Sequence, residues 1–221
     1  MNEFAGKAFV LRVDEMAAQA EQSTLSSDLA FLAEHRVRPI VVAPSAAVAR
    51  VLVRTINRTG NSAVGLEGAD AAMLPRRGGG LGNIQPGILE ALMANGYIPV
   101  VQPTSFAPFG EDVELQADDV AAAIGAATDA IRAIFFNVVG GVIDPKTAAL
   151  IDELTAAEAL EISADPSLPE DLRGAIRAAA LGVRAGVGAA QIVDGRVAHA
   201  SIVEFLTSKH LGTQVTGTIL P

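Results

Sequence analysis

Short continuous runs of apolar residues alternate along this chain with segments whose apolar residues recur every three or four positions. Runs of the first kind are typical of buried strands, and segments of the second kind are typical of amphipathic helices. The pattern predicts strands at residues 8–13, 39–43, 63–66, 97–102, 133–139, 189–193 and 213–218. It predicts helices at residues 25–36, 45–58, 86–95, 117–130, 156–162, 170–185 and 198–207. The Gly-, Pro- and charge-rich residues 67–83 and 104–115 are predicted loops or hairpins.

This alternation of strands and helices predicts the fold class. Repeated strand–helix units with continuous apolar strands indicate a largely parallel sheet that is covered by helices on both faces. Aromatic residues make up only 4% of the chain, so the core must consist of Ala, Val, Leu and Ile. The 221 residues contain no recognisable linker or repeat. We therefore predict an α/β protein with one domain, 1–221, built as a three-layer αβα sandwich.

Composition and charge exclude several classes of protein. The formal net charge of −9 argues against a nucleic-acid-binding surface, which would have to be basic. The chain has no Cys, and His35, His199 and His210 lie far apart, so no metal site is predicted. No apolar run reaches the roughly 20 residues of a membrane span, and the first residues do not resemble a signal peptide. We expect a cytoplasmic protein that binds neither nucleic acid nor membranes.

Several stretches of the chain carry a family resemblance. They are RPIVV at 38–42, LVRTINRTG at 52–60, AVGLEGAD at 63–70, LGNIQPGILEAL at 81–92, NGYIPVVQ at 95–102, QADDVAAA at 116–123, VGGVID at 139–144, IVDGRVAHA at 192–200 and LGT at 211–213. Together they resemble acetylglutamate kinases, members of the amino acid kinase family. The resemblance implies the carbamate-kinase-like αβα fold. It also implies phosphorylation of the N-acetyl-L-glutamate side-chain carboxylate by MgATP, in arginine biosynthesis.

The resemblance divides the chain into a substrate lobe, 1–130, and a nucleotide lobe, 131–221, and it suggests two catalytic residues. Arg12 stands at the position of a family lysine and keeps its positive charge. Asp118 matches the aspartate that organises the catalytic lysines of the family. From the residues alone, Arg12 could instead form a surface ion pair with Asp14 or Glu15. Asp118 could instead be the cap of its helix, where an acid is favourable.

Binding candidates follow from the same resemblance. On the substrate side they are Gly65, Glu114 and Gln116, with Glu114 in place of a family asparagine. On the nucleotide side they are Asn137 and Arg173. No residue is implied as a metal ligand.

The phosphate-binding motifs of the family are changed in this chain. Asp14 and Glu15 replace two glycines after the first strand, and residues 43–46, Ala-Pro-Ser-Ala, replace a three-glycine turn after the second. Proline has no amide donor, and the other residues lack the conformational freedom of glycine. Two family lysines are also missing, at Ala69 and Ala175. These changes predict a weakened phosphate site, because such sites depend on backbone amides and cations.

Three functional hypotheses remain open from the sequence. The first is a relative that has lost phosphotransfer and acts as a metabolite-binding or regulatory subunit. The second is an active MgATP-dependent kinase, for N-acetyl-L-glutamate or a related carboxylate, that uses Arg12 and Arg173 in place of lysines. The third is a structural partner of a true kinase subunit.

Two further features concern binding and assembly. The run of Arg and Gly at 76–80 could form an anion-binding nest, although a flexible hairpin tip is the simpler interpretation. In the second predicted helix, helical spacing places Val48, Val51, Leu52 and Ile56 on one face. By the resemblance, this helix is predicted to mediate a homodimer.

Overall fold

A computed structural model describes residues 4–15, 24–58, 60, 62–206 and 211–217. Its strands are β1 (Ala8–Arg12), β2 (Arg38–Val42), β3 (Ala63–Leu66), β4 (Arg76–Arg77), β5 (Gly80–Leu81), β6 (Ile98–Val101), β7 (Arg132–Asn137), β8 (Glu153–Thr155), β9 (Ala189–Asp194) and β10 (Thr213–Thr216). Its α-helices are α1 (Leu25–Glu34), α2 (Ala46–Asn57), α3 (Gly87–Ala94), α4 (Ala117–Ala127), α5 (Ala156–Ser163), α6 (Glu170–Arg184) and α7 (Ala200–Leu206). A short 3₁₀ helix covers Asp70–Ala72.

Eight of the strands form one sheet in the order β3-β6-β2-β1-β7-β9-β10-β8. Every pair in this sheet is parallel except β9 with β10, which is antiparallel. β1 lies near the middle and pairs with β2 on one side and β7 on the other, in register Arg12 with Val42 and with Phe135. The carboxyl end of β1 is therefore enclosed by neighbouring strands, where ligands of such sheets bind.

Successive residues of β1 point into two different cores, because side chains alternate across a strand. Phe9 and Leu11 pack with residues of α1, α2 and α7 on one face of the sheet. Val10 packs with residues of α3, α4, α5 and α6 on the other face. Both cores consist mainly of Ala, Val, Leu and Ile. The predicted three-layer αβα sandwich with a largely parallel sheet is confirmed.

The largest departure from the predicted elements is β8, which was not predicted. Only Leu154 of its three residues is buried, so the stretch lacks the continuous apolar run of the other strands. The sequence Thr155-x-x-Glu158 does form a capping box that starts α5. The predicted positions Thr207, His210 and Thr218 lie outside the described residues.

Several predicted helix ends also need correction. α1 stops at Glu34 and α4 at Ala127, short of the predicted ends, and Arg36 and Asp129 just beyond them have positive φ angles. A positive φ is incompatible with a continuing right-handed helix. α7 begins at Ala200, two residues late, because His199 has a φ of 58°.

The predicted apolar face of α2 is partly wrong. Val48, Leu52 and Ile56 are buried against the sheet together with Ala49, but Val51 is 48% exposed. Val51 therefore lies on the solvent side of the helix. The run at 76–80 forms the two-stranded hairpin β4–β5, with Gly78 at a φ of 61°.

Candidate active site

The carboxyl end of β1 holds a close ion pair between Arg12 and Asp118. Arg12 is the last residue of β1, and its Nε lies 2.6 Å from Asp118 Oδ1. Arg12 Nη1 also donates a hydrogen bond to the carbonyl oxygen of Phe136 in β7, at 3.0 Å. The two side chains are only 14% and 9% exposed. One cation thus joins β1, β7 and α4 at the edge of the sheet where ligands are expected.

The contacts of Arg12 and Asp118 differ from those that the residues alone suggested. Arg12 pairs with Asp118, which lies far along the chain. Asp118 is not the cap of its helix, because Gln116 occupies the cap position of α4 and its side chain makes no capping bond. The acidic side chain serves to compensate Arg12.

Burial raises the pKa of Asp118 above its ordinary value. Arg12 opposes this shift, because its positive charge stabilises the carboxylate. The nearby acids Asp119 and Asp171 add to the rise in pKa, and Arg177 reduces it. The site therefore concentrates charges of both signs around one buried carboxyl group.

A first cleft opens at the ends of β1 and β7, and we call it the front cleft. It has a volume of about 420 Å³ and is lined by Arg12, Asp14, Glu15, Pro44, Asn137, Val138, Val139, Pro169, Asp171 and Leu172. Among the described residues that line it, the only cation is the guanidinium of Arg12, which Asp118 already compensates. Three of its lining residues are acids, so its surface disfavours a polyanion.

Several backbone positions at the rim of the front cleft offer no free amide donor. The amide of Val13 donates to Val42 O, and the amide of Ala43 donates to Val101 O, both at 3.0 Å. Pro44 has no amide hydrogen. The Ser45 hydroxyl accepts from the Val48 amide at 3.4 Å and caps α2. The turn after β2 therefore continues the sheet and starts a helix, and Pro44 contributes no amide donor to it.

Asn137 lies at the end of β7 and supports the wall of the front cleft. Its side-chain oxygen accepts hydrogen bonds from the amides of Val139 and Gly140, both at 2.8 Å. Gly140 has a φ of 89°, which glycine adopts at no steric cost. The Asn137 side chain thus holds the turn after β7 closed.

A second cleft, the rear cleft, lies between α4, α5 and α6. Its volume is also about 420 Å³, and it is lined by Arg12, Gln116, Asp118, Ser163, Glu170, Asp171, Arg173, Gly174 and Arg177. Arg177 Nη2 contacts both carboxylate oxygens of Asp119, at 2.8 and 3.0 Å. A Cβ atom at Gly174 would lie 3.1 Å from Asp118 Oδ2, so the glycine allows α6 to approach the buried carboxyl group.

The predicted site residues are brought together only in part. Arg12, Gln116, Asp118 and Arg173 line the rear cleft, and Asn137 lines the front cleft beside Arg12. Gly65 lies on the edge strand β3, where an added Cβ would lie 3.4 Å from Val53 Cγ2. Glu114 is exposed and bridges to Thr104 in the loop before α4. Neither Gly65 nor Glu114 lines either cleft.

The resemblance placed Arg173, in the predicted helix 170–185, on the nucleotide side, and in the structure this helix, α6, is a wall of the site. Glu170, Asp171, Arg173, Gly174 and Arg177 all line the rear cleft, and Asp171 lines both clefts. The spacing i, i+3, i+4 and i+7 from residue 170 places four of them on one helix face. Sequence reasoning did not single out Gly174 and Arg177, and their spacing from Glu170 and Arg173 was the signal available in the sequence. Ala175, at a missing family lysine, is buried.

The described residues contain neither a cluster of metal-ligating side chains nor a membrane-spanning helix. Within the described ranges, no group of three or more His, Asp or Glu side chains is arranged to hold a metal ion. No helix in the described part of the chain combines the length and apolar character that crossing a membrane requires.

The sequence and the fold belong to a known class of protein. The sequence signature of the Amino acid kinase family matches residues 12–194, from the last residue of β1 to the last residue of β9. The chain belongs to the amino acid kinase family.

Curated relatives in this family make the similarity more specific. The chain is 34% identical over 181 residues to the acetylglutamate kinase of Synechococcus sp. CC9311, a match covering 77% of this chain and 64% of that protein. It is 32% identical over 182 residues to the acetylglutamate kinase of Paracidovorax citrulli, covering 74% and 61% of the two chains. The chain thus spans about three fifths of the length of these relatives, and it is acetylglutamate kinase-like.

Solved structures of low sequence identity share the fold. An N-acetylglutamate synthase from Neisseria gonorrhoeae, complexed with coenzyme A and N-acetyl-glutamate, superposes with a TM-score of 0.85 at 16% identity, covering 99% of this chain and 61% of that one. A carbamate kinase from Giardia lamblia bound to AMP-PNP gives 0.72 at 11% identity, covering 97% and 99%. At these identities the likeness concerns the fold alone.

Proposed function

We propose that this acetylglutamate kinase-like chain has lost phosphotransfer and acts as a metabolite-binding or regulatory subunit. It would serve amino-acid biosynthesis of the arginine type, in the cytoplasm. The observation that carries the proposal is the chemistry of the front cleft. Three acids line it, and its lining arginine is already compensated by Asp118.

Phosphoryl transfer needs cations and backbone donors that stabilise the charge of the moving group. At the front cleft, the Val13 and Ala43 amides are used within the sheet, and Pro44 has none. Removing a single transition-state donor costs about 10²- to 10³-fold in rate. Loss of several such groups supports an activity close to background.

The residues of the front cleft do not fit MgATP well. Like charges about 4 Å apart repel by roughly 4 kcal/mol at an effective dielectric of 20, and Asp14, Glu15 and Asp171 would face the triphosphate. Magnesium could bridge an acid and a phosphate, but with Pro44 and the used amides of Val13 and Ala43 the phosphate oxygens would have fewer backbone hydrogen bonds than a three-glycine turn provides. We expect MgATP to bind more weakly than about 1 mM.

The test is a hydroxylamine trapping assay with MgATP and N-acetyl-L-glutamate. We expect no acyl phosphate above the level without protein. Turnover of about one per second, within the ordinary range of enzymes, would contradict the proposal. Calorimetry with MgATP gives an independent measurement, and saturable heat would count against the proposal.

An active carboxylate kinase is the second candidate, and one observation favours it. Arg12, Asp118 and Arg173 line the same cleft, so two arginines could stand in for lysines. If turnover is found, Arg173→Gln should reduce kcat by about 10²-fold under this hypothesis. The exposed Arg184→Gln on the same helix is the control and should leave the turnover unchanged.

Assembly is a further part of the proposal. We propose a homodimer through α2, supported by the exposed Val51 on its solvent face. Light scattering at tens of micromolar tests this, and a monomeric mass would contradict it. Association with a true kinase subunit is the remaining alternative, and co-purification from the source organism would reveal it.

A further inference from the structure

We infer that the chain has a second binding site, remote from the candidate active site, for a small organic dianion that carries an aromatic ring. The site is a cleft at the amino ends of β1, β2 and β6, and we call it the basal cleft. Two arginines, a tyrosine and three apolar residues among its lining define it: Arg36, Arg38, Tyr97, Ala33, Pro39 and Met93. The inference goes beyond the proposed function, because it does not depend on whether the chain transfers phosphate.

The basal cleft lies at the opposite end of the sheet from the front and rear clefts. Arg38 is the first residue of β2 and Tyr97 immediately precedes β6, whereas Arg12 is the last residue of β1. These three strands are parallel, so their amino ends share one edge of the sheet. No described residue lines both the basal cleft and either of the other clefts. A ligand in the basal cleft would therefore occupy a separate site.

The lining of the basal cleft is positively charged, although the chain carries a formal net charge of −9. Arg36 and Arg38 are both exposed, and none of the described residues that line the cleft is acidic. Within the described ranges, neither arginine belongs to an ion pair. Two guanidinium groups without a counter-charge favour a group with two negative charges, either a phosphate monoester or a pair of carboxylates.

The end of α1 that borders the basal cleft is closed by its own backbone. The amide of Arg36 donates a hydrogen bond to Ala33 O at 2.9 Å. The amide of Val37 donates to Leu32 O at 3.0 Å. These two bonds form a Schellman motif, which satisfies carbonyl oxygens that would otherwise repel an anion. Arg36 occupies the left-handed position of this motif, with a φ of 62°.

The end of α3, which also borders the basal cleft, forms the same motif with glycine in that position. The amide of Gly96 donates to Met93 O at 3.1 Å, and the amide of Tyr97 donates to Leu92 O at 3.0 Å. Gly96 has a φ of 79°, which glycine adopts without steric cost. A residue with a Cβ atom is strained there, and such strain is concentrated at functional sites. Arg36 therefore fits a role in binding better than a role in ending the helix.

The remaining lining favours a flat, apolar body on the ligand. Tyr97, the one Tyr of the chain, is 44% exposed and lines the cleft together with Pro39 and Met93. An exposed aromatic ring offers a surface on which a second ring can stack, and the Tyr97 hydroxyl can donate to an anion. The cleft volume of about 510 Å³ lies within the roughly 300–1,000 Å³ of small-molecule sites.

Other ligand classes match the basal cleft less well. Inorganic phosphate has the charge but leaves Tyr97 and the apolar lining in contact with water. A monoanion such as benzoate leaves one of the two arginines without a counter-charge. An aromatic amine such as benzylamine places a positive charge beside both arginines. Each of these differences can be measured.

The experiment measures the binding of phenyl phosphate and of phthalate to the unmodified protein. Thermal shift at about 10 mM of each probe detects binding, because a ligand of the folded state raises the Tm. Calorimetry then gives the Kd, and we expect about 1 mM or less for at least one probe. The two probes carry the same ring and distinguish a phosphate from a pair of carboxylates. Benzoate, inorganic phosphate and benzylamine should each bind at least about tenfold more weakly.

Variants at Arg36 separate a role in binding from a role in folding. Arg36→Gly should weaken binding of the selected probe at least about tenfold, because a charged hydrogen-bond partner is lost. Its Tm without ligand should be no lower than that of the parent, because glycine suits the left-handed position. Arg36→Lys should restore part of the binding through its charge. Arg38→Gln should weaken binding to a similar extent as Arg36→Gly.

Two control variants test where the probe binds. Arg184→Gln removes an exposed arginine that does not line the basal cleft, and it should bind the probe as the parent does. Arg173→Gln changes the rear cleft and should also leave binding of the probe unchanged. The Tm of each variant without ligand checks that it is folded.

The inference is overturned if neither probe binds, if benzoate or inorganic phosphate binds as tightly, or if Arg36→Gly binds as the parent does. Loss of binding in Arg173→Gln would also overturn it, because the probe would then occupy the candidate active site. A lower Tm of Arg36→Gly without ligand would contradict the argument from backbone strain. Acyl-phosphate turnover in the hydroxylamine assay concerns the proposed function alone, so the two proposals can fail separately.

Discussion

Asp118 and Asp119 are adjacent in α4 and each pairs with an arginine, but the two ion pairs lie in different surroundings. The Arg12–Asp118 pair joins β1 to α4, with side chains 14% and 9% exposed. The Arg177–Asp119 pair joins α6 to α4, with side chains 46% and 38% exposed. Exposed pairs are screened by water, whereas a buried charge that loses its partner is costly. We therefore expect the Arg12–Asp118 ion pair to affect the free energy of unfolding much more than the Arg177–Asp119 ion pair does.

The largest effect should come from removing the buried cation. In Arg12→Gln, Asp118 becomes a buried carboxylate without a counter-charge, and breaking a buried pair costs about 3–5 kcal/mol. Arg12 keeps some contact with solvent, so we expect a loss near the lower limit, about 3 kcal/mol in urea unfolding at neutral pH. The double change Arg12→Gln with Asp118→Asn removes both charges and should be less destabilised. A loss below about 1 kcal/mol, the range of surface pairs, would mean that burial has no special role here.

The stability of Arg12→Gln relative to the parent should depend on pH. Burial raises the pKa of Asp118 in the folded protein, so the folded state binds this proton more tightly than the unfolded state. The resulting stabilisation is present at pH below the unfolded pKa and is lost as pH rises through the folded pKa. Arg12 opposes the shift, so Arg12→Gln should raise the pKa of Asp118 further. Its stability deficit relative to the parent should therefore shrink as pH falls towards about 4.

The contribution of Asp118 is given by the difference in the free energy of unfolding between variant and parent at each pH. Several carboxyl groups have a lowered pKa in the folded protein, and their stabilisation is lost as pH falls: Asp144, Glu158, Asp165 and Asp194. These four carboxyl groups are present in both the variant and the parent, so their contributions cancel when the two free energies of unfolding are subtracted. The double change Arg12→Gln with Asp118→Asn should show a deficit that does not vary with pH. A deficit of Arg12→Gln that stays constant would contradict the assignment to Asp118.

A smaller effect is expected from filling the space beside the buried carboxyl group. Replacing a glycine in a helix by alanine commonly stabilises by about 1 kcal/mol. In Gly174→Ala the new Cβ would lie 3.1 Å from Asp118 Oδ2, which Arg12 holds in place. We expect a net destabilisation of about 1 kcal/mol by chemical unfolding, as is typical of overpacking. Gly87→Ala in α3 is the control, because a Cβ atom at that position would have no neighbour within 4 Å. Stabilisation by Gly174→Ala would show that the carboxylate moves freely.

The smallest effect should come from the exposed pair. Arg177→Gln leaves Asp119 in contact with solvent, so its stability should change by no more than about 0.5 kcal/mol. High salt should remove even this difference, because surface charges are screened. If Arg177→Gln destabilised the protein as much as Arg12→Gln, solvent exposure would not be what determines the contribution of each ion pair to stability.

Local signals in the sequence were sufficient for most elements of the fold. The bounds predicted for β3 are those observed, and α1, α4, α5 and α6 begin where they were predicted to begin. Apolar periodicity, helix caps and glycine positions are properties of neighbouring residues, so they can be read from one sequence. The changed phosphate motif at residues 43–46 could also be read directly, and Arg12 could be placed at the end of a strand.

The candidate site required the folded chain. Local reading allowed Arg12 an ion pair with Asp14 or Glu15, whereas the structure pairs it with Asp118, far along the chain. It also gave no sign that Gly65 and Glu114 would lie outside both clefts, or that Asp171 would line both. Which strands become neighbours, and which helix ends meet above them, is decided by burying apolar surface across the whole sheet. Charges distant in the sequence are brought together by that packing, and the same packing sets how much water surrounds each of them.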